Sequence, residues 1–222
     1  MEKWSYVHDR ELLYLPKNVN MSSENREYIV KWIFSIVDRM KFDENVGVTA
    51  VNIFDRWVSI NKSDDLKNNY LIAGAGIIIA VKIKIDDRYD LFYYMNKWLG
   101  YKFSVKKIID TELFICKLFN WQVDPITSHE IIYEWLLQFP ELALYENAIY
   151  SYANICCTIY EWVSFYPSTI AMICITSVLV YNNINSDKYI DALTILVNEK
   201  ISSDSLAELR NHISFLLKSL KN

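Results

Sequence analysis

Two stretches of this chain carry no charge and no polar face, and they constrain its fold more than any other feature. One is Tyr-Leu-Ile-Ala-Gly-Ala-Gly-Ile-Ile-Ile-Ala-Val at residues 70–81, and the other is Ile-Ala-Met-Ile-Cys-Ile at residues 170–175. A helix that is apolar all round must be surrounded by other elements, so each stretch predicts the centre of a helical bundle. They recur about one hundred residues apart, too long a period for a solenoid and suited to two similar small bundles in tandem. A chain of 222 residues has room for two such units. Two readings compete. Ile77-Ile78-Ile79 also fits a buried strand. Residues 163–186 are uncharged and long enough to span a membrane, but they contain Pro167, Ser168 and Thr169 and end in Asn-Asn-Ile-Asn, so two fully buried helices account for both stretches better. Only 4 Gly and 4 Pro occur, which favours helices over turn-rich sheets.

The flanking segments are amphipathic. Ser22-Ser23-Glu24 opens a helix whose stripe is Ile29, Trp32, Ile33, Ile36, Val37 and Met40. Residues 42–45 form a short connection. A second helix carries Val51, Phe54, Trp57 and Val58, and a fourth, from Leu91 to Leu99, closes at Gly100. Ser104 caps a fifth, with Val105, Ile108, Ile109, Cys116 and Phe119 on its stripe and Glu112 in line. Asp124-Pro125-Ile126-Thr127 breaks the pattern. The layout then restarts: a helix from about Ser128, another from about Leu144 to Trp162, the apolar helix opened by Pro167, and amphipathic segments through Leu193–Val197 and Leu206–Leu217. The expected fold class is therefore all-α, with domains at 1–23 (N-terminal helix and linker), 24–124 and 126–222.

Catalytic chemistry has little to stand on. The chain has three histidines, His8, His129 and His212. His129-Glu130-Ile131-Ile132-Tyr133 has Tyr where a zinc helix needs its second His. Ala73-Gly74-Ala75-Gly76 lies inside an apolar helix and lacks the Lys-Ser/Thr of a phosphate loop, and no Gly-x-Ser-x-Gly elbow occurs. Cys116, Cys156, Cys157 and Cys174 form no Cys-x-x-Cys pair and sit among apolar neighbours, as reduced core cysteines do. No cofactor or metal is expected. The net charge of −4 counts against general nucleic-acid binding. Met-Glu-Lys-Trp has no basic region leading into an apolar run, so no signal peptide is expected.

Four charges stand out. Lys82 ends the most apolar stretch, and Glu112 sits between Ile108 and Cys116 at helical spacing. A buried unpaired charge is costly, so each needs a partner. They could pair with each other, snorkel to the bundle edge, or reach polar backbone on another protein. Arg26 and Asp55 form a second candidate pair, which would tie the first two helices together.

The order of residues resembles the cyclin family. Asn25-Arg26-Glu27-Tyr28-Ile29-Val30-Lys31-Trp32 is similar to the opening of the cyclin box, with its Arg and Trp. Ala50 to Val58, containing Phe54-Asp55-Arg56-Trp57, resembles the next signature, an Asp-Arg followed by an aromatic. Ile79-Ala80-Val81-Lys82 resembles the end of the third helix. Thr111-Glu112-Leu113 with Leu118-Phe119-Asn120-Trp121 resembles the fifth. Spacing and order agree throughout residues 24–124, and the second repeat is similar in helical layout. Residues 4–14 look like the helix that precedes the box.

The resemblance implies two tandem cyclin-fold bundles and a non-catalytic regulatory subunit. Its partner would be a cyclin-dependent Ser/Thr protein kinase in cell-cycle control, together with protein substrates or inhibitors of the complex. Nucleic acid and membranes are not implied partners, and the setting is the nucleus or cytoplasm. A transcription-type cyclin, or a cyclin-fold transcription adaptor that binds DNA, is the alternative. By the same resemblance, Lys82 and Glu112 hydrogen-bond to kinase backbone, and Ile83, Cys116, Trp121 and Val123 pack on the mobile helix of the kinase small lobe. A substrate-docking patch would use Ile29 and Trp32, although Asn25, Ser35, Asn69 and Tyr70 depart from its usual residues. Lys84 and Ile85 replace the acidic residues that usually follow the Lys. Arg10-Glu-Leu-Leu13 with Asn18 fits a loose destruction pattern of a kind that also arises by chance.

Overall fold

The computed structural model describes residues 9–61, 65–85 and 90–185, with Tyr189, Asn211 and Ser214. The amphipathic segments expected between residues 193 and 217 lie outside this set apart from Asn211 and Ser214. The chain divides into two compact units. One holds Tyr14–Pro125 with Cys157–Ser164, and the other holds residues up to Leu13, Ile126–Cys156 and residues from Phe165.

Among the described residues, five α-helices build the first unit. α1 (Ser23–Met40) begins where the Ser22 hydroxyl accepts from the Asn25 N–H, and Glu24 adds an acid to the positive end of the helix. It stops at Lys41, which takes a left-handed φ of 55° while Phe42 and Lys41 donate back to Val37 and Asp38. α2 (Glu44–Ile60) is capped by Asp43. α3 (Leu66–Lys84) is capped by Asp65, and every residue from Leu71 to Val81 is buried. Ile77-Ile78-Ile79 thus belongs to a helix, not a strand. α4 (Leu91–Trp98) and α5 (Val105–Leu118) follow, with Ser104 capping the latter. α3 contacts α1, α2, α4 and α5, which is why it needs no polar face. Its isoleucines at 77, 78 and 79 each contribute about 1.5–3 kcal/mol through burial. By length and composition α3 could cross a membrane, but its apolar surface is mostly covered by protein neighbours.

The small residues of α3 are used for close approach. A Cβ on Gly76 would lie 3.3 Å from the Ala50 carbonyl oxygen of α2, and backbone cannot rotate out of the way as a side chain can. Gly76→Leu is therefore expected to force α2 and α3 apart and to lower unfolding free energy by about 1–3 kcal/mol, read as a shifted denaturant midpoint at constant slope.

A bidentate ion pair joins α1 to α2. Arg26 Nε and NH2 each donate to Asp55 at 2.8 Å, and both residues are almost wholly buried. The rest of the guanidinium donates to the carbonyls of Cys157 and Thr158 at 2.9 and 3.2 Å, so this one side chain also fixes the 157–164 segment. The short 3-10 turn Tyr160–Trp162 follows, and the Tyr160 hydroxyl donates to the Val19 carbonyl.

In the second unit, α6 (Ser128–Gln138) opens on a reciprocal cap between Thr127 and Glu130. The helix expected from about 144 to 162 is broken: a 3-10 turn (Pro140–Tyr145) leads into α7 (Glu146–Thr158), which ends before Ile159. α8 (Pro167–Tyr181) has proline in its first turn, buries Ala171–Leu179 and packs on α6. Residues 9–14 are helical, and Glu11 from this stretch accepts from the Ser168 N–H at 2.6 Å and its hydroxyl at 3.0 Å. A carboxylate is well placed at that positive helix end. The Arg10–Leu13 pattern therefore lies on a folded helix with Glu11 inside.

His129 stacks on Tyr150, and its Nε2 lies 3.0 Å from Asn154 Oδ1, an internal arrangement. None of the four cysteines is in a disulfide. Cys116, Cys156 and Cys174 are buried and Cys157 is partly exposed.

Candidate partner-binding face

The end of α3 and one side of α5 bring the singled-out charges together in the first unit. Lys82 Nζ lies 2.6 Å from Glu112 Oε1, so the two pair directly. The pair is not sealed in: the Lys82 side chain is 47% exposed and that of Glu112 13%. Lys82 Nζ also lies 4.9 Å from the centre of the Phe92 ring on α4, a cation–π contact that holds the ammonium over the surface. One ammonium proton is committed to Glu112. The ammonium has two further donors, and the half-exposed lysine keeps it open to solvent.

Why an acid sits in an apolar run becomes clear on α5. The sequence stripe merges two faces. Ile108, Thr111 and Ile115 point into the core, with Phe119 continuing that face just past the helix. Val105, Ile109, Glu112, Leu113 and Cys116 form a second stripe about a third of a turn away. Val105, Ile109 and Leu113 are each about two-fifths exposed, so Val105 and Ile109 are not core residues as the stripe implied. Glu112 therefore lies amid apolar side chains, largely covered but not sealed in. Ile109, Leu113 and Phe92 belong to this face although the motif did not single them out. The available signal was the excess width of the apolar pattern on α5, more than one core-facing stripe requires.

The other expected residues differ in exposure. Cys116 is buried, and burial followed by the charge of Glu112 pushes its thiol pKa up, against the pull of Lys82. Such a thiol is a packing group rather than a nucleophile. Ile83 is half-buried, Val123 is buried, and Trp121 is 65% exposed. Lys84 bridges to Asp124 at 2.7 Å, which offsets its charge.

α5 ends in a turn that presents Trp121. The Trp121 N–H donates to Cys116 and the Asn120 N–H to Lys117, and Asn120 and Trp121 take φ of 50° and 63°. Gly100-Tyr101 closes α4 in the same way, but there a glycine occupies the first left-handed position.

Behind the turn lies Arg56 of α2. Its guanidinium carbon lies over the Phe119 and Tyr14 rings, 4.0 and 4.9 Å from their centres, and NH1 donates to the Gln122 carbonyl at 2.8 Å. Burial pulls its pKa down to about 10, opposed by Tyr14.

The docking-patch residues separate. Ile29 has no exposed surface, because α1 turns it into the core, so it offers nothing to a docked peptide. Trp32 is partly buried, edge-on to Tyr70 at 5.1 Å. Tyr28, on the neighbouring turn, is 66% exposed.

The model of the cyclin N-terminal domain matches residues 2–124 of this chain. Cyclin-D3-3 of Arabidopsis thaliana is 28% identical over 104 residues, covering 46% of this chain and 29% of that protein. G1/S-specific cyclin-E1 of Gallus gallus is 23% identical over 148 residues, covering 66% and 34%. The matches thus span about a third of these relatives' length. Among solved structures, a viral cyclin from herpesvirus saimiri superposes with a TM-score of 0.76 at 16% identity, covering 96% of this chain and 97% of that one. A chain of the CAK complex from Chaetomium thermophilum, solved with ATP-γ-S, gives 0.64 at 13% identity, covering 96% and 69%. At these identities the structural likeness is one of fold.

Proposed function

This chain belongs to the cyclin family, and we propose that it is the non-catalytic regulatory subunit of a cyclin-dependent Ser/Thr protein kinase acting in cell-cycle control. The observation that carries this reading is the Lys82–Glu112 pair, which joins the end of α3 to the second, partly exposed stripe of α5. Both residues stand where the family motif has its Lys and Glu. An apolar surface with charged hydrogen-bonding groups at its centre suits a partner helix whose nearby backbone polar groups need satisfying. Val105, Ile109, Leu113 and Trp121 supply area for the apolar side of that helix, and Lys82 and Glu112 fix its register.

The mechanism is a population shift. The chain binds the kinase with its small-lobe helix turned in and does not bind the helix-out state as well. The equilibrium moves only as far as that difference in affinity allows. The inward helix completes the kinase's own Lys–Glu pair, and phosphoryl transfer follows from groups the kinase supplies. The nucleus or cytoplasm is the proposed setting.

The test is to mix the chain with a panel of purified cyclin-dependent kinases and to follow co-elution and peptide phosphorylation. Co-elution with at least one kinase and a rise in its activity are expected. Co-elution without activation would leave a binding protein and reject the activator reading. Tight, salt-sensitive binding to DNA with no kinase would favour the adaptor alternative.

A further inference from the structure

Arg56 has 9% of its surface exposed, and among the described residues no carboxylate pairs with it. A cation kept inside at such a desolvation cost, where Leu or Met could fill the space, calls for a task that only a guanidinium performs. Its two firm contacts are on either side of one short turn. The guanidinium carbon lies 4.0 Å from the centre of the Phe119 ring, and NH1 donates to the carbonyl of Gln122. Between these anchors stand Asn120 and Trp121, both left-handed. Asparagine tolerates that region, whereas a bulky residue such as tryptophan occupies it only under constraint from its surroundings. The constrained residue is the most exposed aromatic among the residues expected to meet a partner.

We propose that Arg56 is a positioning residue of the partner-binding face: it clamps residues 119–122 and so holds Trp121 ready for the partner. Arg56 does not touch the partner. It removes the conformational cost that a loosened turn would otherwise impose on binding. The inference rests on the kinase-binding reading above.

Two measurements separate its failure from the failure of that reading. In the first, kinase affinity is measured for Arg56→Met, Trp121→Ala and the two combined. Arg56→Met should weaken binding about tenfold. It should add less than about twofold in the Trp121→Ala background, because its effect passes through Trp121. Arg56→Lys, which keeps a cation and one donor, should recover part of the loss.

In the second, the full chain is labelled with 5-fluorotryptophan, and the Trp121 fluorine resonance is assigned with Trp121→Phe. Arg56→Met should move or broaden that resonance while the other tryptophan resonances stay in place. Should Arg56→Met not fold, Arg56→Lys and Arg56→Gln carry the same comparison. Equal losses in both backgrounds, or an unmoved Trp121 resonance in a folded Arg56 variant, would overturn the proposal. If no kinase binds the unaltered chain, the function reading fails and the fluorine spectrum alone decides the clamp.

Discussion

Asp55→Ala is expected to lower the unfolding free energy by about 3–5 kcal/mol, the typical cost of leaving one member of a buried ion pair alone. Arg26 keeps only 2% of its surface exposed, and without Asp55 it is left with the carbonyls of Cys157 and Thr158, which carry no full charge. Burial acts against the charged guanidinium. The charge and double hydrogen bond of Asp55 more than reverse that effect and raise its pKa above the usual value. Removing Asp55 takes away both compensating interactions while the burial remains. Asp55→Asn keeps the shape and loses the charge, so its cost should be smaller. Pairing Asp55→Ala with Arg26→Met should recover much of the loss, because two apolar residues carry no desolvation cost. A shift of the urea midpoint at constant slope measures all three. A loss below about 1 kcal/mol for Asp55→Ala would mean that the pair contributes little to the fold.

Lys82→Ala combined with Glu112→Ala should weaken kinase binding by about a hundredfold or more, since charged groups at the centre of an interface commonly dominate its energetics. Stability should hardly change, because a pair with an exposed lysine contributes at most about 1 kcal/mol to the fold. The single variants should each take most of the binding loss. The two side chains hold each other in place at 2.6 Å in the free chain, so removing either releases the other. Binding affinity and thermal unfolding measured on the same samples separate the two effects. Unfolding of the double variant would show the pair to be structural instead.

The central helices were the most legible part of the fold. A run without a polar face can only be an interior element, and Leu71–Val81 and Ala171–Leu179 are buried as that argument requires. Caps at Ser22 and Ser104, and the restart at Thr127, were readable from side chains that satisfy free helix ends. The break at Ile159 was not. No proline or glycine marks it, and the chain turns there as residues 157–164 join the first unit, where Arg26 binds the preceding carbonyls.

At the candidate site, the identities of Lys82 and Glu112 were legible and their surroundings only partly so. Apolar periodicity records which residues avoid water, but it does not separate a core face from an interface face on one helix. Val105 and Ile109 were therefore assigned to the core with Ile108. Ile29 was misplaced in the opposite direction, because a motif position does not reveal which side of α1 is covered. Arg56 gave no warning either. Its contacts with Tyr14 and Gln122 join positions far apart in the chain, which no local pattern encodes.

The most direct test of the central claim is a titration of a cyclin-dependent kinase with this chain, following complex formation and peptide phosphorylation together, for the natural sequence and for Lys82→Ala with Glu112→Ala. The natural chain is expected to bind and raise kinase activity, and the double variant, with the same helical signal, to do neither at matched concentration. Equal activation by both, or no binding by the natural chain to any kinase of the panel, would contradict it.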